Sequence, residues 1–218
     1  MKAHLYKITA IVLILLNGCA AYYPQMVDIP LIREKGDIRI DAGYFLAHNF
    51  DENGTAGVHG TFSAGLTNMV AIQGYINMDL LGRLHAQGAS GLFKGLENNA
   101  VIELYGGYGI GAGHDNNYSL AFSQFNVGKT DVGGANIDYG LGLKGGYLFC
   151  NYENSEEYQT IHQKNGCMFE PSLFFRVGGR RVKFCTKVNY LWTKTVSDVY
   201  YYPLSVSLGV NIYLRKNN

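Results

Sequence analysis

The chain is short of charge, proline and tryptophan, and has no apolar run of membrane-helix length. Asp, Glu, Lys and Arg supply 16% of its 218 residues, well under the roughly 25% of ordinary soluble domains. The formal net charge is only +1, so no broad basic field exists to hold nucleic acid, and no nucleic-acid partner is expected. The most apolar run, Ile8–Leu16, is too short for a spanning helix, which needs about 20 residues. A mean hydropathy close to zero gives no sign of helical spans either. It is compatible with a membrane barrel, whose lipid-facing and lumen-facing residues average out along each strand. The histidines His48, His59, His85, His114 and His162 are scattered without metal-ligand spacing, so neither a metal nor another cofactor is expected. What the chain has in quantity is glycine (28) and tyrosine (17), against four prolines. That balance suits β-structure with much bending and interfacial surface.

The last strand-like run shows the pattern most clearly. From Pro203 to Leu214, Leu204, Val206, Leu208, Val210, Ile212 and Leu214 alternate with Ser205, Ser207, Gly209, Asn211 and Tyr213. A strand turns successive side chains to opposite faces, whereas a helix of period 3.6 would mix these sets. The same alternation recurs over Asp37–Leu46, Gly57–Leu66, Met69–Met78, Val101–Gly113, Asn136–Phe149, Met168–Gly178 and Val182–Lys194, while Tyr118–Gly128 is a mixed run with Leu120 and Phe122 on the parity of Gln124 and Asn126. These make nine runs. A closed antiparallel barrel of bacterial outer-membrane type uses an even number, so the weaker Arg83–Ser90 is taken as a tenth strand, with eight as the option if two runs merge.

Period-2 alternation fits two architectures. In a soluble, lipid-tethered barrel the apolar face turns inward and holds a small apolar ligand; in a membrane barrel it faces lipid. Three features favour lipid. The polar faces mix glycine and serine with isolated charges (Asp41, Glu103, Asp138, Lys144, Glu170, Arg176, Lys183 and Lys187), a composition suited to a narrow lumen with an internal polar network. The apolar faces carry Tyr44, Tyr139, Tyr147 and Trp192, as interfacial girdles do. The runs also reach the roughly 9–11 residues of a tilted crossing. The expected fold is therefore all-β: a closed, antiparallel, up-and-down transmembrane barrel. Cys150–Gly166 and Thr195–Tyr200 read as loops at one end, with both termini and the tight Gly179 turn at the other.

The N-terminus reads as an export signal. Lys2, His4 and Lys7 precede the apolar run, which fits the core of a secretory signal peptide. It ends in Leu16-Asn17-Gly18-Cys19, which resembles a bacterial lipoprotein processing box with Cys19 as the lipidated residue, although Asn17 stands where a small residue is more usual. An ordinary signal peptide with an incidental cysteine is the alternative. The expected organisation is a signal peptide at 1–18, a lipidated tether at 19–36 and a barrel at 37–218. An acyl anchor contributes about 0.8 kcal/mol per buried methylene. It would hold the protein at an outer membrane whose lipid, and other envelope proteins, are the expected partners.

The remaining chemistry is sparse. Cys150 and Cys167 bracket the longest polar segment and could close it with a disulfide in an oxidising compartment, or remain two free thiols. Cys185 reads as a small filler. His59 and Ser63 share a strand face, as a lipid-acyl hydrolase barrel would require, yet any barrel offers such pairs by chance. Gly107-Tyr108-Gly109-Ile110-Gly111 lies within a strand, so it is read as bends rather than a nucleotide loop. No catalytic residue is assigned.

Tyr23-Pro24, Ile29-Pro30-Leu31-Ile32-Arg33-Glu34-Lys35-Gly36-Asp37, Gln124-Phe125-Asn126-Val127-Gly128, Glu170-Pro171, Arg176-Val177-Gly178 and the final aliphatic strand together resemble a family of lipid-anchored outer-membrane β-barrel proteins from Bacteroidota. The resemblance implies a membrane barrel and carries no established reaction. The functional expectation is a structural, assembly or surface-interaction role as an accessory to an envelope complex, without a wide pore. The alternatives are the tethered apolar-ligand binder and an envelope lipid-modifying enzyme.

Overall fold

The computed structural model describes residues 27–48, 54–112, 116–132, 136–153, 161–194 and 203–214. The signal segment 1–18, Cys19, the first part of the tether and the Thr195–Tyr200 loop lie outside the described residues.

The strands are β1 (Ile38–His48), β2 (Gly54–Gly65), β3 (Val70–Asp79), β4 (Leu84–Gly95), β5 (Ala100–Ala112), β6 (Asn116–Val132), β7 (Ile137–Glu153), β8 (Ile161–Gly178), β9 (Val182–Tyr190), β10 (Trp192–Lys194) and β11 (Leu204–Leu214). β1 to β9 pair antiparallel in chain order, and β11 joins β1 on one side to β9 on the other, so the sheet closes. β9 and β10 oppose β8 in one continuous register, Asn189 on Ser172 and Trp192 on Phe169. They are two pieces of a single stave, and the barrel has ten. The break at Leu191 falls opposite Glu170 and Pro171. Proline has no N–H for the ladder; on its other side Leu191 keeps the β9–β11 register, its N–H donating to the Pro203 carbonyl at 2.7 Å.

The faces sort as a membrane barrel requires. Leu46 (66% exposed), Leu208 (63%) and Phe184 (73%) point outward, while Asp138 and Lys144 are fully buried (both 0%). The soluble alternative, with the aliphatics meeting in the middle, is thereby excluded. Tyr44, Tyr139, Tyr147 and Trp192 are all on the outer face. In hydrocarbon an open sheet edge would leave amides unpaired at a cost of several kcal/mol each, so closure is obligatory.

Two expectations need correction. Cys150–Gly166 is not one long loop. β7 runs on to Glu153 and β8 begins at Ile161, with backbone pairing maintained to Glu153 opposite Ile161. Nor do Cys150 and Cys167 form a disulfide; both are free. Cys150 lies opposite Lys164 and Cys167 opposite Tyr147, an odd offset that turns one thiol inward and the other outward, which no rotamer can bridge.

The segment read as a tether does more than lead into β1. Val27, Asp28, Ile29, Pro30, Leu31 and Ile32 are buried inside the barrel, and the chain leaves through a turn at Gly36 (φ 88°). The wall makes room for them with glycine. A Cβ at Gly142 would lie 2.8 Å from Ile29 Cδ1 and 2.9 Å from Val27 Cγ1, one at Gly128 2.9 Å from Leu31 Cδ1, and one at Gly65 2.9 Å from Ile32 Cγ2. Outward-facing Gly106 has no heavy atom within 4 Å of such a position. Gly142→Val should therefore destabilise the barrel by about 1–3 kcal/mol through overpacking. Gly106→Val should stay within about 0.5 kcal/mol, both measured as urea midpoints from the mobility of the folded band in detergent.

Candidate functional site

The buried polar side chains face the lumen, and Gln124, Arg176, Arg39 and Glu103 among them bond the segment inside it. An extended chain placed there brings backbone amides that no strand can pair, so side chains of the wall must satisfy them. They do so in sequence. The Asp28 carbonyl accepts from Gln124 Nε2 at 2.6 Å, and the Ile29 carbonyl from Arg176 Nη2 at 2.7 Å. The Leu31 carbonyl accepts from Arg39 Nη2 at 3.5 Å, and the Ile32 N–H donates to Glu103 Oε1 at 2.7 Å. Leu31 takes a left-handed backbone (φ 54°), a conformation that disfavours a non-glycine residue by about 1–2 kcal/mol. Its packing against Gly128 holds it there. Val27, Ile29 and Leu31 form one apolar cluster with Val101 and Phe174, and Ile32 packs with Ala71, Phe93 and Tyr105.

All eight charged residues assigned to the polar faces are buried, and they divide into three groups. Near the strand ends that hold the tight turns, Asp138 receives Lys183 Nζ at 2.6 Å and faces Arg39 Nη1 at 3.4 Å. Lys183 also reaches Asp131 at 2.8 Å. At mid-height, Asp41 lies 3.3 Å from Lys187 Nζ and 3.3 Å from His59 Nε2. Glu103 accepts from Asn126 Nδ2 at 2.9 Å as well as from the Ile32 N–H. Above the segment, Lys144 sits across the ladder from Glu170, donates to Gln87 Oε1 at 2.6 Å and lies 4.4 Å over the Phe122 ring. Ser172 and Asn189 are hydrogen bonded to each other lower on the same wall.

Several participants were absent from the sequence-derived set. Asp28 accepts from Ser63 Oγ at 2.7 Å and lies 4.0 Å from Lys187 Nζ. Arg39 stacks 4.4 Å over the Tyr213 ring, and Tyr213 donates to Asp37 Oδ1 at 2.8 Å. Asp37 also accepts from the Arg33 and Glu34 N–H groups, which fixes the exit turn. Arg39 stands on the same alternating face as Asp41, so its place was readable. The depth of Asp28 was not, because that follows from the fold of the preceding chain.

The His59–Ser63 pairing does not assemble. His59 bonds Asp41 while Ser63 bonds Asp28; both are buried, inside the wall and away from the lipid face where an acyl substrate would lie. His59, Tyr75, His85 and Tyr118 instead form a run of ring contacts, with successive centroids 6.2, 6.1 and 5.6 Å apart. Among the described residues, no three His, Cys, Asp or Glu side chains are grouped to hold a metal. A hollow of about 360 Å³ near the ends of β4, β5 and β6 is lined mainly by outward residues such as Leu84, Ala86, Ile110 and Ser119, apart from the charged network.

Three stretches distinguished separately along the sequence meet here. Ile29-Pro30-Leu31-Ile32 is the enclosed segment, Gln124 to Gly128 is the strip of wall that binds it, and Arg176 holds the Ile29 carbonyl. Closed ten-stave topology, an apolar exterior and a charged, filled interior define a β-barrel of outer-membrane type. No protein-family model and no curated protein matches the chain. Among solved structures, the outer membrane protein OprG of Pseudomonas aeruginosa is similar at 14% identity and a TM-score of 0.43, over 87% of this chain and 100% of that one. Ail, the attachment invasion locus protein of Yersinia pestis, is similar at 9% identity and a TM-score of 0.30, over 83% and 99%.

Breaking a buried ion pair by removing one partner costs about 3–5 kcal/mol, whereas an exposed pair contributes about 0–1 kcal/mol. Asp138→Asn removes the fully buried charge that faces both Arg39 and Lys183, leaving Lys183 only the part-exposed Asp131, and should lower the urea midpoint by the larger amount. Asp131→Asn, at a side chain 41% exposed, should shift it little.

Proposed function

We propose that the protein is an outer-membrane lipoprotein barrel, anchored through Cys19, whose sealed body serves a structural, assembly or surface-interaction role as an accessory to an envelope complex. It performs neither bulk diffusion nor catalysis. The observation that carries this reading is the enclosed segment: Val27 to Ile32 fill the lumen and are hydrogen bonded to the wall by Gln124, Arg176, Arg39 and Glu103. A ten-stave barrel has room for little beyond its own side chains, and here a length of main chain takes that room as well. The lipid-facing surface and the loop end remain for contact with outer-membrane lipid and with other envelope proteins.

Two measurements test the reading. In planar bilayers the intact barrel should give no conductance above the lipid baseline, while deletion of residues 20–36 should produce steady openings. Steady openings from the intact chain would overturn the sealed-barrel role. Exported with an ordinary signal peptide, a Cys19→Ala copy should still require detergent for extraction. Release into aqueous buffer would overturn the membrane placement.

A further inference from the structure

Among the described residues, charge on the outside of the barrel is confined to its ends, and the two ends differ. The turns 66–69, 96–99 and 179–181 lie at one end with the start of β1 and the end of β11; the connection 80–83 lies at the other. At the turn end Lys35, Lys94, Arg180 and Arg181 are exposed and Lys129 is half-exposed. None of these five side chains forms an ion pair or a hydrogen bond among the described residues. The acids nearby do not balance them. Asp131 is taken by Lys183 at 2.8 Å and Arg33 at 4.0 Å, which leaves Glu34 and Glu97 against five cations. At the other mouth Arg83 is bound to Asp79 at 2.6 Å, and the sequence between the strand ends there, 49–53, 113–115, 154–160 and 195–203, contains no lysine or arginine.

Four of the five cations stand where the lipid-facing belt ends. Lys94 follows the outward Leu92 (54% exposed) on the same strand face, and Lys129 lies directly opposite the outer Tyr139 in the ladder. Arg180 and Arg181 fall between the outward Val177 and Val182, and the Arg181 carbonyl accepts from the Tyr213 N–H at the end of β11. In the order of the wall the four run from β4 through β6 to β8 and β9. A ligand for such an arrangement has to surround the barrel rather than sit on one patch. The plane of headgroups in a leaflet does so. We infer that this rim binds the phosphates of anionic phospholipid headgroups in the leaflet at the turn end, through Lys94, Lys129, Arg180 and Arg181. The inference deepens the membrane placement proposed above and rests on it, independently of the accessory role. A charge facing acyl chains is strongly disfavoured. A lysine or arginine at the border therefore lays its methylene stem along the apolar belt and carries its charged head outward to the phosphate level. An anionic surface attracts each such group strongly enough to favour association about fivefold, and the attraction fades within a Debye length. With no carboxylate of the protein bound to them, these four are free to take their counter-charge from the membrane.

Refolding of the full chain into lipid vesicles tests this. The barrel is folded into phosphatidylcholine alone and into equal parts of phosphatidylcholine and phosphatidylglycerol. Urea titration, followed through the heat-modifiable folded band, gives the folding equilibrium in each. At low salt phosphatidylglycerol should favour the folded barrel by about tenfold or more. Raising the salt to about 1 M, where the screening length is about 3 Å, should abolish that preference. A Lys94→Gln/Lys129→Gln/Arg180→Gln/Arg181→Gln variant should fold in phosphatidylcholine like the parent and lose the preference. Should that variant not fold, Lys94→Gln/Lys129→Gln and Arg180→Gln/Arg181→Gln are measured separately, and each should lose part of it. Equal stability of the parent in both lipids, or a preference that survives the substitutions, overturns the inference. Failure of the parent to fold in either lipid overturns the membrane placement instead, so the two readings fail in different ways.

Discussion

The structure depends on one requirement, that every main-chain amide in hydrocarbon find a partner inside the protein. Closure of β1 on β11 and of β8 on β9 meets it for the wall. It also creates an enclosed space with the opposite problem, because any polar group inside loses water and must be matched by another. The ion pairs of Asp138 and Asp41 answer this on the wall. The contacts from Gln124, Arg176 and Glu103 answer it for the segment from Val27 to Ile32. Wall and contents are thus two solutions to the same accounting of donors and acceptors.

This explains why charge is scarce overall yet concentrated within. A lipid-facing carboxylate or ammonium is strongly disfavoured, so charges collect on inward positions, where burial is tolerable only with a partner. The arrangement contributes uniqueness more than net stability, since buried ion pairs roughly cancel their own desolvation. Lys183 between Asp131 and Asp138, and Lys187 beside Asp28 and Asp41, each tie one strand to elements distant in sequence. They fix how the segment and the staves sit relative to one another.

Strand faces were legible because alternation is a direct print of the two media on either side of a wall. Leu204 to Leu214 could be assigned in full from it, as could the inward placement of Asp41, Lys144 and Lys187. Arg83–Ser90 was correctly a strand, though β4 extends to Gly95. The signal fails where the two media are the same. Val27 to Ile32 are buried on all sides, so they show no period and read as a leader. The outer parts of β7 and β8 read as a loop, because Asn151-Tyr152-Glu153 and His162-Gln163-Lys164 lack the apolar side that marks a crossing. The facing of Cys150 and Cys167 needed the register, which no composition supplies.

The five residues from Arg33 to Asp37 are all that separate the enclosed segment from the first stave. So short a connection makes the contents of the barrel inseparable from its first strand in biogenesis. A ring already filled up to its glycines leaves little passage for Val27 to Ile32 to be drawn in later. Val27 to Ile32 must therefore be lying across the nascent sheet when β1 zips to β11, and the seam between the first and last staves is the one that shuts around them.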